Sequence, residues 1–291
     1  MFKIIKNSIP MSAWYMLLSA LGFALMAACV KEVSAMGIPV LEIVAARAIV
    51  SGIISYFDVR RKKISLLGNN KPLLIARGTV GAFALMFVYY AVTTLPLAEA
   101  TVLQYLHPVF TAILAFFFLK EVIQRSTIIC IMMSLLGLFI IIQPNLQTST
   151  MVSYPWISII AGVMGAFGSA VAYIIIKKLT KTDDSSVIIF YFPVVAFPIS
   201  MLMLGSDFVM PSLLATCLLI LVGIFTQVGQ VGLTKALDCA DANKATAYAY
   251  VQVLFSVFIG WAYFNEIPVL TTIIGGSLIM IAALINVLWK R

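Results

Sequence analysis

The chain has 291 residues, of which 63% are hydrophobic and only 10% are charged. Soluble globular proteins are about 45–50% apolar and about 25% charged, so a mean hydropathy of +1.09 is typical of a protein surrounded mostly by lipid. This composition excludes a soluble enzyme, a nucleic-acid-binding domain and a disordered regulator. The apolar runs are continuous rather than alternating, which also excludes an outer-membrane barrel.

The cysteines and the histidine indicate no metal or redox chemistry. Cys29, Cys130, Cys217 and Cys239 lie far apart, and the chain has a single histidine. Neither a C-x-x-C pair nor a zinc-ligand spacing is present. We therefore predict no metal site and no cofactor.

Ten apolar runs are long enough to cross a bilayer, which takes about 20 mostly apolar residues. The predicted spans lie at 12–30, 38–57, 73–93, 97–119, 126–143, 153–176, 185–204, 212–234, 242–264 and 269–289. The first run is full length and is followed by Lys31, Glu32 and another span, so we do not interpret it as a removable signal peptide. The connections are short and leave no room for an inserted soluble domain.

The basic residues predict the orientation. If the N-terminus is cytoplasmic, 16 of the 19 Lys and Arg residues fall in cytoplasmic segments, and Arg77 lies just inside the cytoplasmic end of the third span. The outer loops hold only Lys31, and Arg47 lies within the second span. This is the pattern of the positive-inside rule, and it predicts a multi-pass protein of the inner (cytoplasmic) membrane with both termini in the cytoplasm. The basic run at 60–63 is interpreted as a topology anchor, with a patch for anionic membrane lipid as the alternative.

The second half of the chain repeats the first. Residues 78–129 align with residues 223–274 without a gap, at an offset of half the chain. The matched pairs include Tyr105 with Tyr250, Phe110 with Phe255 and Glu121 with Glu266. Five spans per half is an odd number, so the second half enters the membrane from the opposite face, as in transporters with inverted repeats. We predict repeats at 1–147 and 148–291; duplication of a passive structural protein is the alternative.

Short patterns in both halves carry a family resemblance. The first half has Arg77-Gly78, Tyr90-Ala91, Leu95-Pro96, Glu99-Ala100, His107-Pro108-Val109 and Lys120-Glu121, and the second has Lys235-Ala236, Ala245-Thr246 and Asn265-Glu266. Together with Arg47, they resemble the drug/metabolite transporter superfamily, in particular its EamA-type members. The resemblance covers essentially the whole chain.

The resemblance implies an all-α bundle of ten transmembrane helices that works by alternating access. Helices 1, 3, 4, 6, 8 and 9 are then expected to line a central cavity, while helices 5 and 10 pack at the side and can support a homodimer. Solutes of such proteins include amino acids, nucleotide sugars, choline-like cations, S-adenosylmethionine and drugs. Gln252-Val253 stands where the first half has His107-Pro108, so helix 9 is expected to bend less than helix 4.

Ionisable side chains inside a span are costly and usually functional. Arg47 lies near the middle of the second span and is predicted to face the bundle, either to bind substrate or to tie backbone carbonyls or a loop carboxylate. Glu42 is offset from it by about 140° around the helix. We assign Glu42 and Tyr89 to the outer vestibule; for Glu42, an interfacial carboxylate is the alternative.

Two polar stripes occupy equivalent places in helices 4 and 9. Their members are Gln104, His107 and Thr111 in helix 4, and Tyr248, Gln252 and Ser256 in helix 9. The spacing places each set on one helical face, and we predict that the two faces bind a polar ligand across a cavity. Hydrogen bonding between helices is the alternative. Pro108 predicts a kink near Gln104.

Helices 6 and 8 supply further candidates. Gln227 and Gln230 share a face of helix 8, and Tyr173 lies on helix 6. The glycines of helix 6 (Gly162, Gly165 and Gly168) predict close helix contact. Glu121 and Glu266, at the ends of helices 4 and 9, are predicted to cap or tie a neighbouring helix.

The function predicted from these features is secondary transport. The chain lacks the G-x-x-x-x-G-K-S/T signature for ATP, so a solute or ion gradient must supply the energy. We predict a small-molecule solute, polar or amphipathic, such as an amino acid or a related metabolite, and no nucleic-acid partner. Alternatives are export of organic cations or drugs, and uptake of S-adenosylmethionine. A channel or an intramembrane enzyme fits less well, because no pore-ring pattern or protease motif is present.

Overall fold

A computed structural model describes residues 10–94, 103–148, 156–264 and 270–289. These ranges are helical and contain no β-strand. The first half comprises α1 (Met11–Ala35), α2 (Val40–Arg61), α3 (Lys71–Thr94), α4 (His107–Leu114) with a π-helical turn (Ala115–Leu119), and α5 (Arg125–Thr148). The second comprises α6 (Trp156–Leu179), α7 (Ser185–Leu204), α8 (Leu213–Cys239), α9 (Ala242–Ala247), a 3-10 turn (Tyr248–Tyr250), α10 (Val251–Phe264) and α11 (Leu270–Leu288).

Seven helical stretches among the described residues are long and apolar enough to cross a membrane. They are α1, α2, α3 as far as Ala91, α6, α7, α8 and the stretch Lys244–Tyr263. Shorter apolar helices cover His107–Leu119, Arg125–Gly137 and Ile273–Ala282. The prediction of an all-α membrane protein is therefore confirmed at this level.

Local capping explains where two of these helices begin. The Asp184 carboxylate accepts a hydrogen bond from the Ser186 N–H at the start of α7, and the Ser212 hydroxyl accepts one from Ala215 at the start of α8. Both residues satisfy N–H groups that lack a partner in the first helical turn. Polar residues in the connections thus fix the positions at which the apolar spans start.

The helices pack mainly in four pairs, which are α1 with α8, α3 with α6, α2 with α7, and α5 with α11. Small residues allow close approach. A methyl group added at Gly165 of α6 would lie 2.7 Å from a Val88 methyl of α3, and one added at Gly22 of α1 would lie 2.8 Å from the Gly229 nitrogen of α8. The predicted close packing of the helix 6 glycines is therefore confirmed.

The fourth and ninth predicted spans are interrupted rather than continuous. Residues 105 and 106 form a turn, and α4 begins at His107 with Pro108 in its first turn. Proline is tolerated there because a backbone N–H at that position would have no partner within the helix. The ninth span is interrupted by the 3-10 turn at Tyr248–Tyr250, although it has no proline there. Both spans thus depart from regular α-helix at equivalent places, and the expectation that helix 9 bends less than helix 4 stays a prediction. The Tyr105 and Tyr250 rings stack at these breaks, 5.9 Å apart.

One end of the bundle is held by polar contacts. Lys62, the C-terminal cap of α2, donates to the Asp184 carboxylate at 2.8 Å. Lys177 of α6 donates to the carbonyl oxygens of Leu237 and Ala240, each at 2.7 Å. We call this the lysine end.

Glu121 adds a tie between the chain halves. Its carboxylate accepts a hydrogen bond from the Ala242 N–H at the start of α9, at 2.9 Å. The predicted role of Glu121 in tying a neighbouring helix is therefore confirmed. Glu266, its counterpart in the second half, lies outside the described residues.

Candidate substrate-binding site

Arg47 lies in the interior of the bundle, where α1, α2, α3 and α7 meet. Its side chain is buried, and one terminal nitrogen (Nη1) donates to the Tyr89 hydroxyl at 3.1 Å and contacts the Met26 sulfur at 3.7 Å. The guanidinium carbon lies 5.2 Å from the centre of the Phe192 ring. Arg47 therefore binds neither a backbone carbonyl nor a loop carboxylate among the described residues, and Tyr89 is its direct partner.

Arg77 enters the same site from α3. It is buried, donates from Nη2 to the Gln230 side-chain oxygen of α8 at 3.0 Å, and places its guanidinium carbon 5.2 Å from the centre of the same Phe192 ring. Gly81, one turn further along α3, leaves the space for this arrangement. A methyl group added there would contact both the Arg77 Nη1 and the Phe192 ring.

Sequence reasoning missed Arg77 as a site residue. We placed it near the end of the third span, but its long side chain reaches the interior. The available signal was the same as for Arg47, namely an arginine inside an apolar run. Phe192 gave no such signal, because one aromatic residue among many apolar ones is unremarkable in sequence.

The two arginines bring two positive charges close together without a counter-charge from the described residues. No aspartate or glutamate in that part of the chain pairs with either guanidinium. The Nε atoms of Arg47 and Arg77 are both buried without a hydrogen-bond partner. Stacking on the face of an aromatic ring offsets some of the resulting cost, but it leaves the net charge in place.

His107 lies among aromatic side chains. The His107 ring contacts the edge of the Tyr173 ring at 5.3 Å and lies 6.2 Å from the Tyr105 ring, between centres. The His107 Nδ1 is buried without a partner. Tyr173 is on α6, which packs against α3, the helix that carries Arg77. Tyr173 thus contacts the histidine of α4 from a helix that also packs against α3.

Three other predicted residues make contacts that limit their availability. The Thr111 hydroxyl donates to the His107 carbonyl oxygen of its own helix at 2.8 Å. Gln227 donates to the Ser55 hydroxyl at 2.9 Å, while its side-chain oxygen has no partner. Glu42 is buried and accepts a hydrogen bond from the Val209 N–H at 3.0 Å, which ties α2 to the loop before α8.

The two predicted stripes are not continuous helical faces. Gln104 precedes the turn before α4, and Tyr248 belongs to the 3-10 turn, so helical spacing does not carry through to the residues beyond. Tyr248 is buried in the largest apolar cluster, Gln252 is half-buried and Ser256 is exposed. The breaks thus place these side chains in different surroundings. The His107 ring contacts the Tyr173 ring, and Tyr173 also packs against the apolar cluster that contains Tyr248.

A separate cavity of about 580 Å³ opens at the lysine end. Lys120, Glu121, Lys177, Lys181 and Asp241 are among its lining residues. The arginines and Phe192 are not part of its lining. The cavity and the arginine site are therefore distinct features of the structure.

Comparison with known proteins identifies the family. The model of the EamA-like transporter family matches residues 10–143 and 156–288. The chain belongs to the EamA-like transporter family. It is 32% identical over 268 residues to the pseudopaline exporter CntI of Pseudomonas aeruginosa, strain UCBPP-PA14, covering 92% of each chain. This EamA-like protein is thus a multi-pass membrane transporter and not an enzyme.

More distant relatives of this EamA-like chain include both human and bacterial transporters. It is 30% identical to human solute carrier family 35 member G1, covering 93% of this chain and 76% of the relative. It is 27% identical to an S-adenosylmethionine uptake transporter of Rickettsia conorii, covering 74% and 71%. A protein of known crystal structure matches with a TM-score of 0.82 over 94% of this chain and 95% of its own, at 16% identity, and so has the same fold.

Proposed function

We propose that this EamA-like transporter is a secondary carrier for a small polar or amphipathic organic metabolite, an amino acid or a related compound. The observation that carries the proposal is the interior group formed by Arg47, Arg77, Tyr89, Phe192 and Gln230. These side chains come from both halves of the chain and retain buried polar atoms without partners. Buried polar groups normally have partners, and a solute in transit can provide them.

We propose that the carrier works by alternating access between two inverted five-helix repeats, 1–147 and 148–291, with ten spans in all. Two observations support this. The family model matches each half separately. The main helix pairs are also unchanged when the halves are exchanged, since α1–α8 becomes α6–α3, while α2–α7 and α5–α11 become themselves.

Individual contacts support the same relation. A methyl group added at Gly78 would meet Val195, and one added at Gly223 would meet Val50. Gly78 and Gly223 are separated by the offset that relates the two halves of the sequence, and so are Val50 and Val195. Two similar halves in opposite orientations make inward-open and outward-open states comparable in energy, as alternating access requires.

We further propose that the lysine end faces the cytoplasm of a cell with this protein in its inner membrane, with both termini on that side. The support is the concentration of Lys and Arg in the segments at this end. Contact with anionic membrane lipid at the basic run 60–63, and a homodimer through the side helices α5 and α11, are parts of the same proposal. The resemblance to the family is the support for the homodimer.

Export and uptake are both candidates for the direction of transport. Both an exporter and uptake transporters are among the relatives. Initial rates of labelled solute entry into oriented membrane vesicles, right-side-out and inverted, distinguish the two directions. A requirement for an imposed proton or sodium gradient in only one orientation identifies the energy source.

The proposed function is tested by counterflow in proteoliposomes. Vesicles preloaded with unlabelled amino acids are expected to accumulate the labelled forms faster than empty vesicles, because a carrier exchanges solutes and a channel does not. We expect Arg47→Ala and His107→Ala each to reduce counterflow severely at unchanged protein abundance.

Arg60→Ala is the matched control for the arginine variant, since Arg60 also stacks on an aromatic ring, Tyr56, but at an exposed position. Counterflow at the wild-type rate in the Arg47 and His107 variants would remove both residues from the site. Loss of counterflow in all three variants would point to general damage to the fold.

A further inference from the structure

We infer that the transported solute is an organic anion whose carboxylate binds to the buried Arg47–Arg77 pair. This inference rests on the proposed function and narrows its substrate class. The pair is formed by two helices of the first half, α2 and α3. Phe192 and Gln230 of the second half complete its surroundings.

The geometry places both guanidinium groups against one aromatic ring. Each guanidinium carbon lies 5.2 Å from the same ring centre, so the two carbons are separated by at most twice that distance. A guanidinium carries five N–H donors arranged to match the two oxygens of a carboxylate. Arg47 uses Nη1 on Tyr89 and Met26, and Arg77 uses Nη2 on Gln230. The Nε groups of both arginines are buried without a hydrogen-bond partner.

The charge balance favours an anion over a neutral or cationic solute. Two buried like charges repel each other, and burial in a lipid-facing bundle increases the cost of each. Tyr89, Gln230 and the Phe192 ring supply only dipoles and a ring face. A bound carboxylate would neutralise part of this charge and form charge-assisted hydrogen bonds, which are stronger than neutral ones. An organic cation would add a third positive charge.

The neighbouring side chains indicate the rest of the solute. Tyr173, His107 and Tyr105 form a mostly aromatic group, and Tyr173 is on α6, which packs against the Arg77 helix α3. Such a group suits the uncharged or apolar part of an organic acid, with the unpartnered His107 Nδ1 available for a polar substituent. The combination favours an organic carboxylate rather than an inorganic anion such as phosphate or sulfate.

Gln230→Glu tests the inference without a known substrate. This nearly isosteric change places a carboxylate oxygen where the Gln230 oxygen already accepts from Arg77 at 3.0 Å. The new carboxylate would then neutralise part of the arginine charge, which is the role that we assign to the carboxylate of the solute. We expect the thermal midpoint of the purified protein in detergent to rise in the absence of any ligand. A fall in that midpoint would overturn the inference.

Binding is measured by thermal shift and titration calorimetry with the common amino acids and with small di- and tricarboxylates, each paired with its neutral amide; sodium phosphate and sodium sulfate are included. We expect at least one carboxylate to stabilise the wild-type protein and its amide not to do so. In Arg47→Gln, Arg77→Gln and Gln230→Glu, that carboxylate should bind about tenfold or more weakly. Arg60→Gln should bind it as the wild type does.

The possible outcomes separate this inference from the proposed function. Equal stabilisation by carboxylate and amide, stabilisation by phosphate or sulfate alone, or no carboxylate bound would each overturn the anion inference. Counterflow of a neutral or cationic solute in the same preparation would then leave the carrier function standing. Carboxylate binding with no counterflow would instead contradict the carrier function while supporting the anion site.

Discussion

A cation lies between α2 and α7 at two levels of the bundle, and the surroundings of the two cations differ. At the lysine end, Lys62 pairs with Asp184 at 2.8 Å and lies 3.6 Å from Asp58. In the interior, Arg47 lies over Phe192 with no carboxylate partner among the described residues. Where a cation holds the two helices together, the chain supplies a counter-charge. The interior cation lacks one, which leaves it available to a solute.

Burial makes this difference informative. The Lys62 and Asp184 side chains are 35% and 40% exposed, so water screens their charges and such a pair contributes only about 0–1 kcal/mol. Arg47 is 2% exposed, where an unpaired charge is expensive. A costly arrangement in the interior, beside an inexpensive one at the end, is consistent with a functional role for the interior arginine.

Replacing each cation separately with a neutral residue tests this difference most directly. We expect Arg47→Gln to reduce the rate of carboxylate counterflow about tenfold to a hundredfold, because charge-assisted hydrogen bonds are worth about 1.5–3 kcal/mol. Its thermal midpoint should change little, because removal of an unpaired buried charge offsets the loss of the Tyr89 hydrogen bond and of the contact with the Phe192 ring. Lys62→Gln should preserve counterflow and lower the midpoint slightly. The opposite pattern, with Lys62→Gln inactive and Arg47→Gln active, would show that we have assigned the two levels the wrong way round.

The position of Arg47 also depends on the packing of α2 against α8. Gly223 of α8 leaves no room for a methyl group beside Val50 of α2, one turn from Arg47. Gly223→Ala forces overpacking and should lower the free energy of unfolding by about 1–3 kcal/mol. Gly276→Ala is the control, because its added methyl would meet only the flexible end of Leu254 at 3.1 Å. Equal chemical-unfolding midpoints for the two variants would contradict the close α2–α8 contact.

The amino-acid sequence was sufficient to predict an all-α membrane protein and to single out some of the polar residues that meet at the arginine site, although we assigned Tyr89 to the outer vestibule. Continuous apolar runs indicate spans, and Arg47, Tyr89 and Gln230 stood out as polar residues within them. Helical spacing failed at the stripes, because it assumes an unbroken helix through residues 105–106 and 248–250, where the structure has turns. The approach of Arg77 to Arg47 could not be predicted, because it depends on the space at Gly81 and on packing against α7.

The smallest expected effect concerns the pH dependence of the ion pair at the lysine end. Burial raises the pKa of the Asp184 carboxyl, but hydrogen bonds from Lys62 and Ser186 outweigh it, so this pKa lies below its usual range. The carboxylate therefore stabilises the folded protein at any pH above the unfolded value of about 3.9. That contribution is lost as the pH falls through the lower, folded value.

We expect Asp184→Asn to lower the thermal midpoint slightly at pH 7, by the equivalent of under about 1 kcal/mol. The difference from the wild type should shrink below about pH 4 and in 1 M salt, which shortens the range of the charge interaction. Asp207→Asn is the control, because the Asp207 carboxylate has no partner among the described residues. If the difference in thermal midpoint between Asp184→Asn and the wild type persists at pH 3, the substitution acts through helix capping and not through charge. The stabilisation at this end would then not be electrostatic, and only the interior arginines would depend on charge.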